Sequence, residues 1–93
     1  MMMTAEITIY PFQEDFVPPI KAFIDKLGES VQSRANIASA GDQLQIDTFP
    51  TCTVLVGEYG VIMDVLKEAM AWSYRETGRA VFVTKSIPGY EAD

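Results

Sequence analysis

The sequence predicts an α+β sandwich with the element order β-α-β-β-α-β. Two observations lead there. Four short stretches alternate apolar and polar residues with period two, and two longer stretches repeat their apolar residues at helical spacing. The length of 93 residues fits one domain spanning 1–93.

The first strand is expected over 5–11. Ala5, Ile7 and Ile9 point one way, and Glu6, Thr8 and Tyr10 the other. Pro11 lacks the N–H that a ladder needs and ends the strand. A helix follows over about 16–39. Pro18 and Pro19 suit its first turn, Asp15 lies at its cap, and Phe16, Ile20, Phe23, Ile24 and Leu27 form one apolar stripe. Gly28 either ends this helix or sits within it. Val31, Ala35 and Ala38 continue the stripe, and Gly41 with Asp42 makes a stop, so the structure of 28–42 stays open.

Residues 43–49 alternate again, with Leu44 and Ile46 against Gln45 and Asp47. Pro50 interrupts, and 51–56 forms the next strand. The short gap makes these two strands an antiparallel hairpin. The second helix is expected over 58–77, with Ile62, Val65, Leu66, Ala69, Trp72 and Ser73 on its apolar face and Gly78 after its end. A last strand spans 79–86. Residues 1–3 and 90–93 are expected to be flexible ends.

This order is that of a ferredoxin-like fold, in which right-handed crossovers place both helices on one face of a four-stranded antiparallel sheet ordered 4-1-3-2. Ile7, Ile9, Val54 and Val56 are expected to face the helices. The opposite face would carry Glu6, Thr8, Tyr10, Thr51, Thr53 and Leu55. No remaining element covers that face, which leaves it to water, a second copy or a ligand.

Composition narrows the function classes. There is no histidine, which excludes Ser-His-Asp and Cys-His catalysis and removes the commonest neutral metal ligand. The single cysteine, Cys52, forbids an intrachain disulfide and reads as a small buried residue. The net charge is −6, and the seven basic residues are scattered along the chain, so no nucleic-acid partner is expected. No apolar run is long enough for a membrane span, and the start lacks the basic and apolar regions of a secretory signal. A cytoplasmic location without membrane attachment is the expectation.

The segments AEITIYP, PPIK followed by Phe23 and Ile24, and TFPTCTVLVGEY together resemble the YkoF-like and MTH1187-like thiamine-binding proteins. The resemblance covers residues 4–85, with an insertion at 30–42. It implies a ferredoxin-like domain that binds thiamine or its hydroxymethylpyrimidine part without catalysis and without a cofactor. It also implies self-association as a dimer or tetramer through the sheet face or edges, because some relatives carry two domains and this chain has one. Carried over by position, Glu6, Thr8, Tyr10, Thr48, Thr51 and Thr53 become the expected ligand-binding residues. Phe49, Thr51 and Cys52 depart from the family pattern, which has Asn, Met and Ser at these positions. A thiazolium ring would accept a carboxylate or an aromatic face, as offered by Glu6, Asp47, Tyr10 and Phe49. Two other classes share the element order: a cofactor-free dimeric α+β barrel enzyme, and an ACT-like ligand-sensing regulatory module.

Overall fold

The computed structural model describes residues 1–35 and 44–91. The elements are β1 (Met2–Pro11), α1 (Val17–Ala35), β2 (Gln45–Thr48), β3 (Thr53–Glu58), α2 (Tyr59–Thr77) and β4 (Ala80–Pro88). They form a four-stranded antiparallel sheet in the order β2-β3-β1-β4. This is the expected 4-1-3-2 arrangement read from the other edge.

β1 is central, paired with β3 from Met2↔Glu58 to Ile7↔Thr53 and with β4 from Met3↔Pro88 to Pro11↔Ala80. Every second residue of β1, from Met3 through Ala5 and Ile7 to Ile9, is buried. This is the period-two burial of a sheet packed on one side. Residues 1–3 are therefore no frayed end: Met3 is fully buried, the Met1 carbonyl accepts from Tyr59 N–H at 2.8 Å, and the Met2 carbonyl accepts from Gly89 N–H at 2.7 Å.

α1 runs through Gly28 without a break. Its first helical bond joins Ile20 N–H to the Phe16 carbonyl at 3.3 Å, so the chain enters the helix one residue after Asp15. The expected extension from 36 to 39 falls outside the described residues. α2 is capped at both ends. The Glu58 side chain accepts from Gly60 N–H at 3.0 Å, and Gly78 at φ 94° donates its N–H to the Tyr74 carbonyl. Positive φ is the reason a glycine stands there.

The core lies between sheet and helices. Phe23, Leu27 and Val31 of α1 meet Ile62, Val65, Leu66 and Ala69 of α2 over Met3, Ala5, Ile7 and Leu55. Phe23 packs on Phe82 of β4 with ring centroids 5.0 Å apart. Buried apolar area of this kind is the main favourable contribution to folding.

The phase of β3 differs from the sequence expectation. Opposed residues of an antiparallel pair share a face, so Thr53, Leu55 and Gly57 lie with Ile7, Ala5 and Met3 toward the helices. Leu55 is fully buried and Thr53 nearly so. Val54 and Val56 lie on the opposite face beside Glu6 and Thr4. The segment is apolar or β-branched on both sides, so its own pattern does not fix which side is inside. The register against β1 does, and a shift of one residue inverts every side chain. Thr51 precedes β3 and belongs to neither of its faces.

Candidate functional site

β1 outruns β3. Its pairing with β3 ends at Ile7↔Thr53, while its pairing with β4 continues to Pro11. Beside the overhanging Thr8, Ile9 and Tyr10 lies the β2–β3 connection, residues 49–52. Phe49 N–H donates to the Cys52 carbonyl at 2.8 Å and closes this turn. The Thr8 hydroxyl donates to the Thr51 carbonyl at 3.0 Å and ties the turn to β1. The start of α1 supplies Phe16, Ile20, Phe23 and Ile24 across the gap.

The result is a cleft at the end of the sandwich, in two contiguous parts. The inner hollow holds about 90 Å³ and reaches Ile7, Phe23, Cys52 and Thr53. The outer one holds about 460 Å³ and is bordered by Tyr10, Pro11 and Phe16. Thr8, Ile9, Ile20, Pro50 and Thr51 line both. Apolar walls with a few placed hydroxyls are the usual make-up of a small-molecule pocket, and the outer volume falls within the range of about 300–1,000 Å³ for such sites.

The six residues singled out in the sequence are distributed unevenly. Thr8, Tyr10, Thr51 and Thr53 line the cleft. Thr48 stands opposite Thr53 across the β2–β3 pair, their hydroxyl oxygens 3.3 Å apart, so one hydroxyl donates to the other. Both belong to the helix-facing side, and Thr53 reaches only the inner hollow. Glu6 is elsewhere. It lies on the open sheet face in a row with Asp47, Val54 and Lys85, and lines neither hollow.

Chemically, the cleft offers hydroxyls and ring faces. Among the described residues, its lining contains no ionisable side chain apart from the Tyr10 phenol and the Cys52 thiol. Of these residues, a cation held there would meet the Phe16, Phe49 and Tyr10 rings. Phe16, Ile20 and Pro50 were not among the expected contacts. In the sequence Phe16 opens the apolar stripe of the first helix and so reads as core; in the structure it is 53% exposed and borders the outer hollow instead. Cys52 is a free, half-buried thiol lining the inner hollow. Among the described residues, no group of three or more His, Cys, Asp or Glu residues is arranged to hold a metal ion, and no helix is long and apolar enough to cross a membrane.

No protein-family profile matches this chain, and no curated protein matches it in sequence. Solved structures match its fold. A Streptococcus pneumoniae protein is 22% identical, with a TM-score of 0.71 over 97% of this chain and 89% of its own. A Thermotoga maritima protein, assigned provisionally to thiamine biosynthesis or salvage, is 23% identical, with a TM-score of 0.66 over 92% of this chain and 82% of its own. A domain of unknown function from Bacillus cereus is 19% identical, with a TM-score of 0.64 over 100% of this chain and 83% of its own. At these identities the likeness establishes the shared fold.

Proposed function

We propose that this chain is a non-enzymatic binding protein for a small ring-containing molecule of the thiamine or hydroxymethylpyrimidine class, held in the cleft at the end of β1. The observation that carries this reading is the cleft itself. Hydroxyls of Thr8 and Thr51 sit on a mostly apolar lining, with the aromatic residues Tyr10, Phe16 and Phe49 around it. The Thr8 hydroxyl, whose proton goes to the Thr51 carbonyl, can accept, and the Thr51 hydroxyl can donate and accept, which suits an aminopyrimidine edge, while aromatic faces suit a flat or cationic ring. The sequence resemblance and the fold shared with a protein assigned provisionally to thiamine biosynthesis or salvage support the same ligand class.

Self-association belongs to the same proposal. The sheet face away from the helices exposes Tyr10, Val81, Val83 and Ile87. A second copy over that face would bury these side chains and cover the outer hollow from the Tyr10 side. Exposed apolar groups gathered on one face are a common mark of an interface.

The test is titration calorimetry of the full chain with thiamine and with hydroxymethylpyrimidine, alongside light scattering for the assembly state. Saturable binding by one of the two, weakened by Phe49→Ala, is the expected result. Absence of heat from both ligands at millimolar concentration would remove the ligand class, and a monomer at all concentrations would remove the assembly.

A further inference from the structure

The seven Lys and Arg residues are dispersed in the sequence, but the fold gathers four of them. Lys26 and Arg34 of α1 and Lys67 and Arg75 of α2 meet on the solvent side of the helix layer. There a groove of about 340 Å³ is lined by Lys26, Lys67, Glu68, Ala71, Trp72 and Arg75. Lys67, Ala71 and Arg75 recur at steps of four, so they share one face of α2. The short Ala71 side chain leaves the space between the two cations open.

The charges in this groove do not cancel. Glu68 is engaged by Arg34 at 2.8 Å, and Lys26 is 3.7 Å from Glu29. Among the described residues, neither Lys67 nor Arg75 forms an ion pair. The Arg34 hydrogen bond holds the Glu68 carboxyl below its ordinary range; slight burial opposes this, and the charges of Arg34, Lys26 and Lys67 reinforce it. The largest part of this comes from the Arg34 hydrogen bond; Lys26 and Lys67, which line the groove, add positive charge around Glu68 in a chain whose net charge is −6. The Lys26 ammonium lies 5.7 Å from the centre of the Trp72 ring, which fixes a third cation at the side of the groove.

We propose that this groove binds a small, multiply charged phosphate anion, either inorganic pyrophosphate or the phosphate chain of a nucleotide, between Lys67 and Arg75 with Lys26 at its side. Arginine offers a planar fork to phosphate oxygens and lysine a point charge, and the two together suit a chain of adjacent phosphates. The groove lies on the helix layer, away from the cleft at the end of β1, so the two sites stand or fall separately.

Trp72 is the only tryptophan of the chain, so its fluorescence reports on this groove alone. The full chain is titrated with pyrophosphate and with ATP at constant ionic strength, followed by Trp72 fluorescence and by calorimetry. Both anions are expected to give a saturable change and to compete with each other. Lys67→Ala combined with Arg75→Ala is expected to weaken both by about 10-fold or more. These side chains are exposed, and circular dichroism checks that the double variant stays folded. No saturation at millimolar anion, or unchanged affinity in the folded double variant, overturns the proposal. An ATP response that pyrophosphate does not displace also overturns it, because the base would then carry recognition. A polyglutamate peptide that binds more tightly than either anion overturns it in favour of an acidic protein partner.

Discussion

The Thr8 hydroxyl donates to the Thr51 carbonyl at 3.0 Å, across 43 positions of the chain. This bond fastens the β2–β3 connection to the overhanging end of β1, where β3 no longer pairs with it. It therefore shapes the cleft as well as lining it. Replacing Thr8 by valine keeps the side-chain shape and removes the donor. The expected cost in stability is modest, about 0.5–1 kcal/mol, because the bond is exposed and water can take its place. The expected effect on ligand affinity is larger than this, since the Thr51 turn is no longer held. Urea unfolding and calorimetry on the same variant separate the two effects; equal losses in both would mean that Thr8 has no special part in the cleft.

The inward phase of β3 makes a sharp contrast between neighbours. Leu55 is fully buried among core residues, whereas Val54 is half-buried on the other face. Leu55→Ala is expected to destabilise the fold by about 2–5 kcal/mol, as for other large-to-small core changes. Val54→Ala is expected to cost about 1 kcal/mol or less. Midpoints of denaturant unfolding decide the matter, and the reverse ranking would place the Val54 face inside.

Glu68 supplies a pH dependence. Its hydrogen bond to Arg34 lowers its pKa in the folded state. A depressed folded-state pKa contributes stability above the unfolded-state pKa, and that contribution is lost as pH falls through the folded-state value. The carboxylate is largely solvent-exposed, so the contribution is small and screened by salt. Glu68→Gln is thus expected to be slightly less stable than the parent near neutral pH and equal to it at strongly acidic pH. Thermal unfolding across an acid pH series at low salt follows the convergence. A difference that grows on acidification would contradict it.

Gly28 and Gly78 respond in opposite directions. A Cβ at Gly28 meets no atom within 4 Å, and the position is interior to α1. Gly28→Ala is expected to stabilise the protein by about 0.5–1 kcal/mol, through helix propensity and a less flexible unfolded chain. Gly78 also has space around it, but its φ of 94° is unfavourable to any side chain. Gly78→Ala is expected to destabilise by about 1 kcal/mol or more. Thermal unfolding of the pair tests whether backbone conformation or local space governs each site.

Much of the architecture was legible because it rests on local periodicity. The buried residues of α2, Ile62, Val65, Leu66, Ala69 and Ser73, all belong to the helical stripe, whereas Trp72, expected on the same face, is only half-buried and lines the groove on the helix layer. The buried residues Ala5, Ile7 and Ile9 of β1 follow the same logic with period two. Four of the six residues chosen as contacts, Thr8, Tyr10, Thr51 and Thr53, line the cleft. They do so for a different reason from the one the strand pattern offered. The pattern placed them on the open sheet face, whereas the cleft forms at the end of the sheet because β1 is longer than its pairing with β3. Glu6, on that open face, is left out for the same reason.

The sequence by itself determined the element order, the chirality-limited topology and the inward faces of β1 and α2, because each depends on spacing within one segment. Tertiary structure alone decided three things. It chose the inward side of β3, where both sides are apolar and only the register with β1 distinguishes them. It brought Phe16, just ahead of α1, and Ile20 of α1 against Thr51 and Pro50 to enclose the cleft. It collected Lys26, Lys67 and Arg75 from two helices into one groove. Each of these is a relation between segments far apart in the chain, and no pattern within a single segment encodes the distance between two of them.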